Sequence, residues 1–173
     1  MAGVDAVWIN GSVGTGKTTT ANLLGDELER RGIPGAVIDV DELARAWPAP
    51  DGDPFRSELA LANVAAVAAN FRAHGAQVIV AAGVIEEPLW VPRWAAALGA
   101  ERMLHVVLTI DPVVAAARIR ARHIGDESGR DWHLRRHPQL ADILERAGFE
   151  GQLTLDTTGV APAEVARRIG NML

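Results

Sequence analysis

The chain has 173 residues, of which 49% are apolar, and it carries a formal net charge of −5 at pH 7. This length and composition predict a single domain over residues 1–173, and the negative charge argues against nucleic acid as the main partner. The absence of cysteine excludes disulfide bonds and thiolate metal sites, and the apolar runs are too short to cross a bilayer. Because no signal-peptide pattern opens the sequence, we expect a cytoplasmic protein.

Apolar runs of strand length alternate with helix-length segments along the whole chain. In chain order the predicted elements are a strand at 4–10, a helix at 16–31, a strand at 35–40, a helix at 54–74, a strand at 77–85, a short helix at 88–98, a strand at 103–110, helices at 112–123 and 132–147, a strand at 152–156 and a helix at 162–173. Such alternation is typical of a parallel sheet with helices on both faces. We therefore predict an α/β fold of three layers around a five-stranded parallel sheet.

The first predicted strand leads directly into a phosphate-binding motif. The pattern G-x-x-x-x-G-K-[ST] is matched in full by Gly11-Ser12-Val13-Gly14-Thr15-Gly16-Lys17-Thr18. In such a loop the backbone N–H groups converge on the phosphates, the lysine reaches the β- and γ-phosphate oxygens, and the hydroxyl of Thr18 ligates Mg²⁺. Lys17 is also the only lysine among 17 basic residues. The motif, together with Thr19 at the start of the following helix, predicts a nucleoside triphosphate site.

Two carboxylates lie at the end of the second predicted strand. Asp39 and Asp41 are two residues apart, and the ends of the strands in an open parallel sheet face the ligand. One carboxylate could bind Mg²⁺ through water while the other accepts a proton from a hydroxyl group. The alternative is that both are turn residues, with Asp41 as the cap of a helix that begins near Glu42.

Asp-x-Asp at this position, with Arg45 shortly after it, resembles the small P-loop metabolite kinases, a group that includes shikimate kinase, adenylylsulfate kinase, chloramphenicol phosphotransferase and gluconate kinase. The resemblance implies the P-loop nucleoside-triphosphate hydrolase fold with a small lid. It also implies that Asp39 supports the metal, that Asp41 is an acceptor ligand or general base, and that Arg45 holds the acceptor.

Residues 111–122 resemble the stretch of these kinases that follows the fourth strand and runs into the lid. By that resemblance Arg118 is a neighbour of the adenine or the phosphates, and Arg122 is the lid arginine that stabilises the transferring group. Residues 125–129, with a glycine at each end, indicate a hinge for a lid at about 122–137. The alternative is a solvated arginine face on a helix.

Residues 155–162 resemble the loop that borders the purine in this superfamily. The resemblance places Thr158 beside the base, whereas a plain strand-to-helix connection is the alternative. The third strand has no terminal aspartate, which argues against motor and transport ATPases, and no Asn-Lys-x-Asp guanine signature occurs. These absences favour a kinase over a switch or motor.

Two groups of side chains receive a weaker interpretation. His133 and His137 have a spacing compatible with a metal pair, but no cysteine or intervening acid accompanies them, so we place them on the lid surface or at the substrate edge. Four tryptophans lie near segments that would rim the cleft, where packing is favoured and stacking on an aromatic acceptor is the alternative. They are Trp47, Trp90, Trp94 and Trp132.

The resemblance as a whole implies a phosphotransferase that moves the γ-phosphoryl group of ATP, with Mg²⁺, to a hydroxyl group of a small metabolite or antibiotic. Lys17, Asp41 and Arg122 are its expected catalytic residues. The alternative is a nucleotide-binding regulatory module, or a nucleoside triphosphatase without a phosphoryl acceptor.

Overall fold

The computed structural model describes residues 3–173 and contains one parallel sheet. The five strands are β1 (Ala6–Gly11), β2 (Gly35–Asp39), β3 (Val78–Ala82), β4 (Met103–Thr109) and β5 (Leu153–Asp156). They pair in the order β2-β3-β1-β4-β5, and every pair is parallel. The prediction of a five-stranded parallel sheet is confirmed. Because β1 is the central strand, the loop that follows it lies at the middle of the carboxyl edge of the sheet.

Helices cover both faces of this sheet. The helices are α1 (Lys17–Arg30), α2 (Val40–Leu43), α3 (Ser57–Ala73), α4 (Val91–Ala97), α5 (Pro112–Arg122), α6 (Glu127–Ala147) and α7 (Pro162–Gly170), with a short 3-10 helix (Pro88–Trp90) before α4. Among residues 3–173, no helix is both long enough and apolar enough to span a lipid bilayer.

The core has two halves, one on each face of the sheet, because successive strand residues point to opposite faces. In β1, Ala6 and Trp8 pack with α3, α4 and the end of α6, whereas Val7 and Ile9 pack with α1 and α7. All of β1 is buried, as expected for the central strand of a covered parallel sheet.

The main differences from the sequence-based prediction are two element boundaries and one additional helix. The predicted strand at 77–85 leaves the sheet after Ala82, and the four-residue helix α2 was not predicted. The helix predicted from residue 132 already begins at Glu127, because the Asp126 carboxylate accepts a hydrogen bond from the Gly129 N–H at 2.9 Å. Gly129 therefore belongs to α6, and the predicted hinge at 125–129 is too long. Gly125, with φ of 84°, lies in the connection between α5 and α6.

Candidate nucleotide and acceptor site

The phosphate-binding motif forms the turn between β1 and α1. Gly11 has φ of 147°, and a Cβ atom there would lie 2.7 Å from both the Leu108 carbonyl oxygen and Thr15 Oγ1. Only glycine fits this crowded turn. Gly16 has φ of 94° and stands immediately before α1, so the N–H groups of the first helical turn face the loop. This backbone arrangement suits the binding of an anion.

Lys17 begins α1 and turns its side chain back over the loop. Its Nζ donates hydrogen bonds to the carbonyl oxygens of Gly11 at 2.9 Å and Ser12 at 3.2 Å. Burial lowers the pKa of Lys17, and the nearby Arg122 acts in the same direction, whereas Asp41 opposes the shift. The ammonium group is therefore partly desolvated, and a bound anion would stabilise its charge.

Asp39 and Asp41 face this loop from the end of β2. One Asp39 oxygen accepts a hydrogen bond from the Thr18 hydroxyl at 2.8 Å, and the other accepts one from the Asp41 N–H at 3.0 Å. Asp39 therefore caps α2, and the alternative in which Asp41 is the cap is wrong. The Asp41 carboxylate is left free of this capping role.

Asp41 lines one cavity of about 430 Å³ together with Lys17, Thr18, Arg118 and Arg122. Although Asp41 stays accessible at the mouth of this cavity, the loss of water around its carboxylate raises its pKa, while Lys17 works against that shift. A carboxylate of raised pKa holds a proton more strongly, which suits a proton acceptor.

Arg118 and Arg122 approach the loop from α5. Arg118 donates to the Thr157 carbonyl oxygen at 3.2 Å and lies 3.4 Å from the Gly14 carbonyl oxygen. Arg122 is exposed at the cavity rim. Within residues 3–173, neither guanidinium group forms an ion pair with a carboxylate. Both positive charges therefore remain available to phosphate oxygens.

Two other predicted residues lie apart from this cavity lining. Arg45 is exposed and pairs with Glu42 at 3.1 Å. The Thr158 hydroxyl donates to the Asp156 carboxylate at 2.7 Å and accepts from the Asp111 N–H at 2.8 Å, so it joins the ends of β4 and β5. The structure places both residues at the carboxyl edge of the sheet, and their assigned roles stay predictions.

His137 contacts the phosphate loop from α6, although it lies 124 residues from Val13 in the sequence. Its Nδ1 lies 2.8 Å from the Val13 carbonyl oxygen and 3.0 Å from Ser12 Oγ. Because a carbonyl oxygen only accepts, Nδ1 carries the proton and donates. His137 is 5% exposed, so its placement on the lid surface is wrong. Within residues 3–173 no group of three or more histidine and carboxylate side chains is arranged to hold a metal ion.

Asn10, inside the apolar first strand, fixes the start of the loop. Its Oδ1 accepts from the N–H groups of Gly11 at 2.8 Å and Ile85 at 3.2 Å. Its Nδ2 donates to the Ile85 carbonyl oxygen at 2.9 Å and lies 3.2 Å from His105 Nε2. This buried amide, with both polar atoms bonded, connects β1 to the segment that follows β3 and to His105 of β4. Sequence reasoning missed this residue, and its one signal was a polar side chain in an apolar run.

The comparisons with known proteins agree with this architecture. The family model described as adenylylsulphate kinase matches residues 4–96, which include the phosphate loop, Asp39 and Asp41. No curated protein gives a significant match to the sequence.

Solved structures share the fold over nearly the whole chain. The Deinococcus radiodurans tunicamycin resistance protein is 23% identical with a TM-score of 0.65, covering 96% of this chain and 94% of that one. A gluconokinase from Sinorhizobium meliloti 1021 is 17% identical with a TM-score of 0.61, covering 96% and 90%. The Mycobacterium tuberculosis APS kinase in complex with AMPPNP and APS is 18% identical with a TM-score of 0.58, covering 97% and 96%.

The predicted resemblance to small P-loop metabolite kinases is thereby confirmed. The family match spans more than half of the chain, and the shared fold extends over the remainder. The chain belongs to the adenylylsulphate kinase family of P-loop kinases.

Proposed function

We propose that this protein is an ATP-dependent kinase that transfers the γ-phosphoryl group to a hydroxyl group of a small molecule. The observation that carries the proposal is the shared cavity, in which the Asp41 carboxylate faces Lys17 and Arg122 beside the phosphate loop. A nucleotide-binding module has no need of a carboxylate that shares a cavity with the phosphate-loop lysine and an unpaired arginine. A kinase needs one to receive the proton of the acceptor.

Residues 11–19 would hold the triphosphate through backbone N–H groups, with Lys17 on its β- and γ-phosphate oxygens. ATP as the donor is supported by family membership and by the AMPPNP bound to the Mycobacterium tuberculosis APS kinase. We assign Thr158 to the rim of the purine site, because its hydroxyl joins the ends of β4 and β5 at the carboxyl edge of the sheet.

Thr18 and Asp39 are the residues that would hold Mg²⁺. Their side-chain oxygens lie 2.8 Å apart at the end of the phosphate loop, and a hydroxyl with a carboxylate is a donor set that fits this cation. When bound, Mg²⁺ neutralises charge on the β- and γ-phosphate oxygens.

In the proposed reaction the acceptor oxygen forms a bond to the γ-phosphorus, and the bond from that phosphorus to the β–γ bridging oxygen breaks. The hydroxyl proton passes to Asp41, and ADP leaves. Arg118 and Arg122 stabilise the charge on the transferring group, and we assign the orientation of the acceptor to Arg45 on its resemblance to the kinase pattern. We also propose that residues 122–137 form a lid that excludes water from this step.

The test is ADP release from Mg·ATP across a panel of hydroxylated metabolites, nucleosides and antibiotics. We expect release that depends on one class of acceptor, and we expect Lys17→Ala to abolish it. Arg120→Ala, which changes an exposed residue of α5 outside the cavity lining, serves as the matched control with unchanged activity. ATP hydrolysis that no acceptor stimulates would contradict the kinase proposal and favour a triphosphatase.

A further inference from the structure

His133 of α6 lines the cavity beside the phosphate loop, and the proposed reaction gives it no role. Its side chain is half-buried at the cavity wall. The positive charge of Arg122, which also lines the cavity, lowers the pKa of both His133 and Lys17. Arg122 is therefore close to both residues. Because the lysine of this motif binds the β- and γ-phosphate oxygens, His133 belongs to the group of side chains nearest to those oxygens.

The His133 ring has one bonded nitrogen and one free nitrogen. Its Nδ1 lies 2.7 Å from the Gly129 carbonyl oxygen, and because a carbonyl oxygen only accepts, Nδ1 carries a proton and donates. Its Nε2 forms no hydrogen bond within the described part of the chain, residues 3–173, and this atom is not buried. In the neutral ring Nε2 is therefore an acceptor. It becomes a donor when the ring binds a second proton.

Two neighbouring rings hold the orientation of His133. The His123 ring stacks on it with 4.6 Å between the ring centres, and the Trp132 ring lies nearly perpendicular to it at 4.9 Å. His123 itself uses both of its nitrogens. Its Nδ1 lies 3.1 Å from the Asp126 carboxylate, and its Nε2 lies 3.4 Å from a guanidinium nitrogen of Arg122. His123 therefore supports the stack, and His133 is the ring of this pair that has a nitrogen free for a ligand.

The surroundings of His133 keep its ring neutral near pH 7 in the free protein. Burial lowers the pKa of His133, and the charges of Arg122 and His123 act in the same direction. The hydrogen bond to Gly129 and the carboxylate of Asp126 oppose this shift. A bound triphosphate adds negative charge beside the ring, and a neighbouring anion favours the protonated form of an imidazole. Binding of phosphate and protonation of His133 therefore favour each other.

We propose that His133 binds the β- or γ-phosphate of ATP, taking up one proton from solvent on Nε2 and donating it in a hydrogen bond to a phosphate oxygen. This inference rests on the proposed function and adds a phosphate ligand that lies outside the phosphate-loop motif. The step forms one N–H bond on the imidazole and breaks no bond of the nucleotide. Because the contact requires a proton, the affinity for ATP falls as pH rises, whereas the charges of Arg118 and Arg122 do not change with pH.

The first test counts the protons that the protein takes up with Mg·ATP, by titration calorimetry near pH 7 in buffers of different ionisation enthalpy. The comparison is with His133→Asn, which keeps an N–H near the position of Nδ1 and removes Nε2. We expect the unmodified protein to take up more protons per ATP, by a difference of up to about one, because a single imidazole titrates. Lys17 and Asp41 also face the cavity, but they are present in both proteins, so the difference reports His133.

The Kd for Mg·ATP at pH 6 and pH 8 is the second measurement. We expect His133→Asn to raise this Kd by roughly tenfold at pH 6, because a charge-assisted hydrogen bond is lost, and by less at pH 8. His133→Arg carries a permanent charge, so it should bind ATP at pH 8 at least as tightly as the unmodified protein does. It should also show the same loss of proton uptake as His133→Asn.

His74→Asn is the matched control for these variants. His74 is exposed and follows α3, outside the cavity lining. Its Nδ1 lies 2.8 Å from the carbonyl oxygen of Asn70, four residues earlier, which is the same arrangement that His133 has with Gly129. We expect His74→Asn to change neither the proton uptake nor the pH dependence of the Kd.

The failure of this inference is distinguishable from the failure of the proposed function. Equal proton uptake in the unmodified protein and in both His133 variants would overturn the inference, even where a variant binds ATP more weakly, because that result indicates a packing role. Acceptor-dependent release of ADP would still stand in that case. An unmodified protein that binds no ATP would overturn the kinase proposal, and this inference with it.

Discussion

Asp39 and Asp41 are two residues apart in the chain, yet the fold gives their carboxylates different surroundings. Both carboxylate oxygens of Asp39 accept hydrogen bonds, one from the Thr18 hydroxyl and the other from the Asp41 N–H. Asp41 faces Lys17 in the cavity, where loss of water raises its pKa. The better-bonded carboxylate suits a metal support, and the one of raised pKa suits a base.

Substitution of each aspartate by asparagine should separate the two roles. We expect Asp41→Asn to lower kcat by roughly 100- to 10,000-fold with little change in ATP affinity, because a general base contributes about that much. We expect Asp39→Asn to raise the KM for Mg·ATP by roughly 10- to 100-fold, because it disturbs the support of the metal. Steady-state kinetics with the best acceptor and ATP titration calorimetry measure both effects.

The sign of the pKa shift supplies a control for this experiment. Because the pKa of Asp41 is raised in the folded protein, folding favours the protonated carboxyl group. Ionisation of Asp41 at higher pH therefore lowers the free energy of unfolding. Asp41→Asn should therefore keep or raise the melting temperature at pH 7 while it removes activity. In the unmodified protein, activity should fall as pH decreases through the raised pKa of Asp41. Loss of activity together with a lower melting temperature would indicate misfolding instead of a lost base.

At the scale of elements, α6 joins the candidate lid to the phosphate loop. The helix begins at Glu127, inside the segment assigned to the lid, and its side chain at position 137 donates to the Val13 carbonyl oxygen. A movement of the lid would therefore displace the loop that is proposed to hold the triphosphate. His137 acts in this arrangement as a positioning residue.

Removal of the His137 ring should weaken ATP binding. We expect His137→Ala to raise the KM for ATP by about tenfold, because the half-buried Val13 carbonyl oxygen loses its donor and the loop loses a contact that fixes its position. His137→Asn places an amide N–H near the position of Nδ1 and should restore most of that loss. A melting temperature that falls in His137→Ala while the KM for ATP stays constant would reduce His137 to a packing role.

At the scale of the whole molecule, buried polar residues tie the strands together beneath the site. Asn10 of β1 is bonded to Ile85, which follows β3, and lies beside His105 of β4. The His105 and Phe149 rings are nearly perpendicular and in contact, with 4.7 Å between their centres. Burial lowers the pKa of His105 to about 4, so this histidine is neutral near pH 7.

This buried histidine should make the protein less stable in mild acid. The unfolded chain binds a proton near pH 6.5, whereas the folded protein resists it until about pH 4, so stability should fall across that interval. The loss from His105 should reach at most about 3 kcal/mol. Urea unfolding at pH 7 and pH 4.5 measures it. The free energy of unfolding of His105→Gln should depend less steeply on pH. An equal pH dependence in both proteins would contradict the attribution of the acid sensitivity to His105.

Much of the fold could be predicted because its patterns are local. The alternation of strand and helix runs located all five strands to within a few residues of their ends. The exceptions depended on single side chains, since Asp39 caps the short α2 and Asp126 starts α6 before the predicted position. Neither cap changes the apolar periodicity, which is the signal that a sequence analysis follows.

By itself, the sequence determined the parallel sheet, the phosphate loop and the two aspartates at the end of β2, because consecutive residues specify each of them. Only the tertiary structure decided the separate surroundings of Asp39 and Asp41, the contact of His137 with the loop, and the pairing of Glu86 with Arg136. The two contacts of α6 join residues 124 and 50 positions apart. No local pattern encodes such contacts, because they arise when helices pack across the carboxyl edge of the sheet.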